Sequence, residues 1–419
     1  MESSRARDET AVANRTGWLN RKARALLFRL LQKLDAGNIR IEDADGVWDF
    51  GTAAAPSELQ SLIRVRNSHF YRRVIVGGSL GLAAAYLDGD WECEHLAGLF
   101  RAALRGLGRD NLPRPGRIVA ATARRSHTLR ANTRRGARRN IRDHYDLGND
   151  FFALFLDDSM TYSAGIFEQP DASLEEAQRA KLDRICRKLA FGQSDRVLEI
   201  GTGWGSFALH AAEHYDCHVT TTTISEAQYT LAARRIAEAG LSHRITLLQK
   251  DYRDLEGSYD KLVSIEMIEA VGADHLNEFF RHCAARLDNN GQMLIQAIGV
   301  ADQYYPSYRR SVDFIQKYVF PGSHCPSLGA LITASARSSD LRLLDTEDIT
   351  LHYVTTLRHW RKRFRARRDE IRALGYSERL VRLWEYYLQY CEAGFAENHV
   401  ADRQLIFARP GFHGATSTR

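Results

Sequence analysis

The sequence predicts an α/β protein: a Rossmann-like, doubly wound sheet preceded by a smaller α+β domain. Three observations predict it. The 419 residues are about twice a common domain length, so two domains are expected. From Ile141 onward, short β-rich runs alternate with helical patterns, the order that builds a parallel sheet with helices on both faces. And RVLEIGTGWGSFALHAA, Arg196 to Ala212, joins an apolar run to a helical pattern through three glycines at every second position. Open α/β sheets bind ligands at such a strand end.

Each element follows in order. Residues 1–15 are polar and charged and read as a disordered tail with no signal peptide. Residues 16–113 read as the small domain. It opens with a helix over Ala23–Leu34 and strands around Ile39–Ile41 and Val47–Phe50, and further pieces run to Leu104. The longest mostly apolar run, Val74–Leu87, is too short to span a bilayer and carries three glycines. Between Asn111 and Arg142 stand ten arginines, no lysine and no acid, with Pro113, Pro115 and Gly116. We read 114–140 as a basic linker that becomes partly helical. The large domain then covers 141–419, with strands at Arg196–Ile200, His218–Thr223, Ile245–Gln249, Lys261–Ile265, Gln292–Ala297 and Arg403–Ala408.

Composition excludes some classes. The six cysteines form no CxxC pair, which argues against a zinc site or disulfide framework and fits a reducing compartment. A cytoplasmic protein is expected, with any membrane contact made from the surface. The formal charge is only +6, so the arginine stretch concentrates what positive charge there is.

Gly201, Gly203 and Gly205 lack a Cβ, so a ligand can touch the main chain. The dinucleotide fingerprint fails here, because Ser206 stands where its last glycine belongs. Glu199 sits badly beside a pyrophosphate but suits a cation or a ligand rich in hydroxyls. S-adenosylmethionine offers ammonium, sulfonium and ribose, and E-x-G-x-G-x-G looks like the first motif of class I methyltransferases. The second strand ends in TTTTISEAQ, where Thr223 and Gln228 offer polar groups and Ser225 fits a helix cap. In LLQKDYRDL, Asp251 suits an adenine amine or a plain surface turn.

Three more stretches narrow the reading: RDHYDLGNDFFALFLDDSMTYSAGIF (Arg142–Phe167), VSIEMIEAVG (Val263–Gly272) and KYVFPG (Lys317–Gly322). With VLEIGTGWGS they resemble the cyclopropane fatty-acid synthase family, which includes the mycolic-acid cyclopropane synthases. The resemblance covers about 141–410 and extends weakly to GGSLGLAAAYLDGDWE, Gly77 to Glu92. It implies a class I methyltransferase domain with a helical lid. The implied chemistry moves the methyl of S-adenosylmethionine onto a cis double bond of a phospholipid acyl chain, and loss of a proton then closes a cyclopropane. It also implies an N-terminal domain that helps engage phospholipid, and often a dimer. Tyr162, Ser163, Gly201, Gly203, Thr223, Gln228, Asp251 and Tyr252 are then expected at the cofactor, beside Glu199 and Gly205 of the glycine turn.

In that family a bicarbonate ion is thought to take the proton, held by a cysteine, a glutamate, a histidine, an isoleucine backbone group and a tyrosine. Carried over by position, three are kept: Glu269, Ile298 and Tyr353. Ala164 stands for the cysteine and Gln296 for the histidine. Either an anion binds with altered contacts, or Glu269 itself takes the proton, its pKa raised by burial. Glu266 and Glu269 are expected on one helical face. Release of the proton from another carbon gives a methylene or methyl branch, and a non-catalytic lipid-binding relative is a third reading. Tyr145, Phe151, Phe152, Tyr162, Phe167, Tyr318, Phe320 and Tyr353 are candidates to line a site that tolerates a passing cation, or are ordinary core. No metal site is expected.

The arginines suit an anionic leaflet, at about 1 kcal/mol for each residue near the surface, or a solvated linker. Nucleic acid is not expected, since no recognised module or aromatic interleaving accompanies them. The stretch Thr355–Leu374 mixes arginine with aromatics and reads as a lid, a membrane-facing patch or a helix with a charged outer face.

Overall fold

The computed structural model describes residues 17–107, 116–128, 130, 132, 136–137, 140 and 147–414. The tail 1–15, much of the arginine stretch and Tyr145 lie outside the described residues. The chain divides into two compact units. One holds Met1–Ser126, Ser311–Tyr318 and Arg372–Glu397, and the other holds His127–Arg310, Val319–Ile371 and Asn398–Arg419. This differs from a large domain running unbroken over 141–419.

The first unit explains why two late segments return to it. Helix α1 (Trp18–Leu31) buries Ala23, Leu27 and Leu31, one side chain per turn. Strands β1 (Asn38–Asp43) and β2 (Gly46–Gly51) form a hairpin. Strand β3 (Gln60–Val65) pairs parallel to β1, and β4 (Trp91–Glu92) antiparallel to β3, in the order β2-β1-β3-β4. Helix α2 (His69–Leu87) bends at Gly78, whose φ of 56° and ψ of −139° suit only a residue without a Cβ. The apolar run is therefore a bent, buried helix. No helix among the described residues is long and apolar enough to cross a membrane. Helix α3 (Leu96–Gly106) and α2 receive the helix Glu378–Ala396, which buries Val381, Trp384, Tyr386 and Leu388. Arg382 donates to the carbonyls of Tyr86 and Trp91, and Gln389 accepts from the Ala97 amide. These bonds reach backbone groups at the end of α2, on β4 and at the start of α3.

In the second unit the described residues form a seven-stranded sheet. Its strands are β5 (Arg196–Ile200), β6 (His218–Thr222), β7 (Ile245–Leu248), β8 (Tyr259–Ile265), β9 (Leu287–Val300), β10 (Arg342–Asp348) and β11 (Val400–Ala408), in the order β10-β11-β9-β8-β5-β6-β7. β5 to β9 pair in parallel, while β11 runs antiparallel to β9 and β10. Six strands match the expected positions. β10 was not expected: RLLDTED has no clean alternation, because this edge strand is only half buried.

Alternation along the inner strands divides the core. Leu198, Leu262, Ile295 and Phe407 face α7 (Leu276–Arg286) and α8 (Leu328–Ser338). Val197, Val263, Leu294 and Ile406 face α4 (Leu174–Lys188), α5 (Ser206–Tyr215) and α6 (Glu226–Glu238). Helix α9 (Thr350–Ala366) buries Tyr353, Val354, Leu357, Trp360 and Phe364 and turns Arg358, Lys362 and Arg365 outward.

Leu294→Ala is expected to destabilise the second unit by about 2–5 kcal/mol through a lost buried side chain and the cavity left behind. Leu351→Ala, at a site 70% exposed, is expected to stay within about 0.5 kcal/mol. Urea unfolding of the two variants checks both.

Candidate active site

β5 has β6 on one side and β8 on the other, so the strand order reverses there. A crevice at the carboxyl ends of such strands is where open α/β sheets bind ligands. The turn after β5 is built from left-handed glycines, with φ of 103° at Gly201, 54° at Gly203 and 92° at Gly205. The amides of Gly201 and Thr202 both donate to the Thr222 carbonyl, at 3.1 and 3.0 Å. A Cβ on Gly203 would meet no atom within 4 Å, whereas one on Gly201 would press on Met267 at 3.2 Å. The turn thus shows bare backbone to open space, with α5 starting just behind it.

The other expected cofactor residues surround this turn. Glu199 is buried and accepts from Thr221, whose hydroxyl also meets that of Thr202 at 2.6 Å. Burial pushes the Glu199 carboxyl up to about 8. Thr223 donates to Gln228 Oε1 at 2.9 Å, and Ser225 caps α6 as expected, accepting from the Gln228 amide at 3.3 Å. Asp251, beyond the end of β7, is buried and paired with Arg253, at 2.8 Å from Nε and 2.7 Å from Nη2. Tyr252 packs on Phe279 with ring centroids 5.6 Å apart. Open backbone at the glycines, a hydroxyl–amide pair after β6 and acids at the ends of β5 and β7 fit the nucleoside and amino-acid parts of S-adenosylmethionine.

Beside the turn lies a polar cluster built by five elements. α4 is set by a capping box between Ser173 and Glu176. It carries Lys181, which is fully buried and donates to Ser163 Oγ at 2.7 Å. Gln178, one turn earlier, donates to the Ser163 carbonyl at 2.8 Å. The next amide, that of Ala164, donates to Glu266 Oε1 at 2.8 Å. Glu266 is the first residue past β8 and has a φ of 48°, rare for a residue with a Cβ. Its own amide donates to the Gln296 carbonyl at 2.8 Å, which extends the β8–β9 ladder by one step.

The Glu266 carboxylate accepts two further bonds, from Gln296 Nε2 at 2.8 Å and from the Tyr353 hydroxyl at 2.7 Å. Gln296 also donates to Asp402 Oδ2 at 2.9 Å and accepts from Gln404 at 3.2 Å. The β9–β11 register sets Gln296 opposite Gln404 and Ile298 opposite Asp402. Burial, and then the charges of Glu266 and Glu269, hold Asp402 well above the usual carboxylate range. Glu269 sits in the 3₁₀ turn Ile268–Ala270 and accepts the Ile298 amide on Oε1. Its buried Oε2 has no partner among the described residues. Burial, and then the charge of Glu266, push it up to about 8. Burial lowers Lys181 to about 8.

Ala164, Glu269, Gln296, Ile298 and Tyr353 therefore come together as the sequence suggested. One expectation is corrected. Glu266 and Glu269 do not share a helical face, because the chain leaves β8 through a left-handed residue and a 3₁₀ turn. The donors expected to hold bicarbonate are already bonded to the chain's own carboxylates. Among the aromatics, Tyr162 lies against Phe152 and Trp360, both at 5.3 Å, and Phe320 at 6.4 Å. Tyr353 meets Trp360 edge-on at 6.1 Å. Phe151 and Phe152 are fully buried core, Phe167 stacks on His359, and Tyr318 belongs to the first unit, packed on Phe314.

Sequence reading missed the parts played by Glu266, Lys181, Asp402 and Gln404. The signal for the last two was present: in VADRQLIF, Asp402 and Gln404 share a strand face with core residue Ile406. Nothing in QRAKLDRI distinguishes Lys181 from a surface lysine.

A family model described as mycolic acid cyclopropane synthetase matches residues 132–405. Tuberculostearic acid methyltransferase UfaA1 of Mycobacterium tuberculosis is 38% identical over 411 residues, which cover 96% of this chain and 92% of that protein. Cyclopropane-fatty-acyl-phospholipid synthase of Escherichia coli is 37% identical over 350 residues, 83% of this chain and 87% of that one. Mycolic acid cyclopropane synthase CmaA1, solved with SAH and CTAB, superposes with a TM-score of 0.62 at 28% identity, covering 65% of this chain and 98% of that one. SAH is what S-adenosylmethionine becomes on giving up its methyl. With its methyltransferase sheet and these matches, the chain belongs to the mycolic acid cyclopropane synthetase family, an S-adenosylmethionine-dependent one.

Proposed function

We propose that this chain transfers a methyl group from S-adenosylmethionine to the cis double bond of an unsaturated phospholipid acyl chain and closes it to a cyclopropane. The observation that carries this reading is the pairing of a carboxylate cluster, Glu266 and Glu269, with the rings of Tyr162, Tyr353 and Trp360 beside the cofactor turn. S-adenosylmethionine, when bound, supplies an electrophilic methyl carbon. An alkene is a weak nucleophile, so the first duty of the protein is to hold both partners together. The backbone at Gly201 and Gly203, the Thr223–Gln228 pair and Asp251 would hold the cofactor. The aromatic faces stabilise positive charge on the acyl chain by about 0.5–2 kcal/mol each. A carboxylate then takes the proton whose loss closes the ring.

A second reading is a methyl- or methylene-branched product from the same first step. It is favoured by Ala164 and Gln296, which depart from the cyclopropane pattern, and by the similarity to a tuberculostearic acid methyltransferase. Whether a hydride shifts to the cationic carbon before the transferred methyl loses its proton decides between the ring and the methylene branch.

Access to bilayer lipid is proposed to come from the surface. Helix α1 exposes Trp18 (60%), Leu19 (55%) and Leu26 (50%) among exposed Arg21, Lys22 and Arg29. Apolar side chains interleaved with basic ones suit an anionic interface. Arg124 and Arg125 of the helix Arg117–Thr128 add exposed positive charge.

With cofactor and cis-unsaturated phospholipid vesicles, proton NMR of the acyl products is expected to show upfield ring protons. Vinylidene protons would establish the second reading, and unchanged acyl chains would overturn both. Gly203→Asn is expected to weaken S-adenosylmethionine binding about tenfold or more by calorimetry with little change in melting temperature. Asparagine tolerates the left-handed backbone, yet its side chain enters the open space. Binding to anionic vesicles is expected to weaken as salt screens the basic residues and on combining Trp18→Ala with Lys22→Glu; co-sedimentation measures it.

A further inference from the structure

The carboxylate of Glu266 stands where a free anion was expected. Ala164, Gln296 and Tyr353 each donate to it, at 2.8, 2.8 and 2.7 Å. The remaining donor, the Ile298 amide, is taken by Glu269. A bicarbonate ion does not fit this set. It would have to displace two tethered carboxylates, and the charge of Glu266 would repel it. The departure at 296 has an explanation here: the Gln296 side chain serves a glutamate that the chain itself supplies, joined by the backbone amide at 164.

From this placement we infer that Glu266 is the proton acceptor of the reaction, a built-in carboxylate that makes turnover independent of bicarbonate. The inference rests on the methyl-transfer reading above. Several observations converge on it. Glu266 is held in a left-handed conformation, φ 48°, by its amide bond to the Gln296 carbonyl and by its three side-chain bonds. Strain of this kind concentrates at functional positions. Glu266 and Glu269 keep partial access, whereas Gln296, Asp402 and Lys181 around them are closed off.

Burial raises Glu266 above the ordinary carboxylate value, and its donors and Lys181 work against that rise. Hydrogen-bond donors favour the charged form of a carboxylate, and Glu266 has three. Burial raises Asp402 well above the usual carboxylate range and Glu269 to about 8. Lys181, lowered to about 8, remains mostly charged and faces Glu266 from α4. The Tyr162–Trp360–Tyr353 rings lead from the cofactor side to this carboxylate.

The step balances as follows. The methylated acyl chain carries one positive charge. For the ring, a C–H bond of the transferred methyl, one carbon removed from the cationic centre, breaks, and its electron pair forms the new C–C bond to that centre. For the methylene branch, hydride first shifts from the methyl-bearing carbon to the cationic carbon, and the methyl C–H pair then forms the C=C bond. The proton bonds to a carboxylate oxygen of Glu266, which becomes neutral, and the lipid leaves uncharged.

The full chain is assayed with S-adenosylmethionine and cis-unsaturated phospholipid vesicles in carbon-dioxide-free buffer, with and without added bicarbonate. The wild-type rate is expected to be the same in both. Glu266→Gln keeps the shape and removes the base; turnover is expected to fall about a hundredfold or more, without bicarbonate rescue, while cofactor affinity by calorimetry changes less than about threefold. Glu266→Gly suits the left-handed backbone and opens the anion position; its turnover is expected to fall similarly and to return in part with bicarbonate. ¹³C-bicarbonate NMR is expected to detect binding to the glycine variant and none to the wild type. A wild-type rate that drops without bicarbonate, a fully active Glu266→Gln, or bicarbonate binding to the wild type each overturns the inference. If the wild type makes no product in either buffer, the methyl-transfer reading fails, and the ¹³C titration still decides whether Glu266 has displaced the anion.

Discussion

A carboxylate removed from water survives as an anion only if the protein replaces the water it lost. Around Glu266 that replacement comes from four places in the chain: the loop carrying Ala164, Gln296 on β9, Tyr353 on α9 and the buried Lys181 on α4. Hydrogen bonds to charged groups are worth about 1.5–3 kcal/mol each. Leaving such a charge without them costs several kcal/mol. The second unit is arranged so that none of these donors is missing.

The sheet makes that arrangement possible. The parallel register that sets Ile265 beside Gln296 leaves Glu266 one step past the ladder, where its side chain meets the Gln296 amide. The antiparallel register of β9 with β11 brings Gln404 to Gln296 and fixes which end of that amide faces the acids. A slip of one residue would turn Gln296 to the other face of the sheet. The apolar layers around Leu294 and Ile295 hold that register, so core packing and the polarity of the site are one problem.

Much of this was legible in the sequence. Strand, glycine turn and helix at Arg196–Ala212 follow from local pattern, and so does the alternation that places helices on both faces. The antiparallel course of β11 was not legible, because a strand's direction depends on its connection and not on its own residues. Nor was β10, a half-buried edge with no strong period. The resemblance correctly gathered Ala164, Glu269, Gln296, Ile298 and Tyr353, because each sits at a strand end or a helix position that sequence order preserves. It could not name what they hold. Ala164 and Gln296 looked like losses. They fit Glu266 only once folding brings a residue about a hundred positions from Ala164 beside it.

The central claim is that Glu266 is the group that carries the negative charge in this cluster. Infrared difference spectroscopy between the wild type and Glu266→Gln at neutral pH tests it most directly. The account predicts that the substitution removes an ionised carboxylate stretch. Loss of a protonated carboxyl stretch instead would place the charge on another group and contradict it.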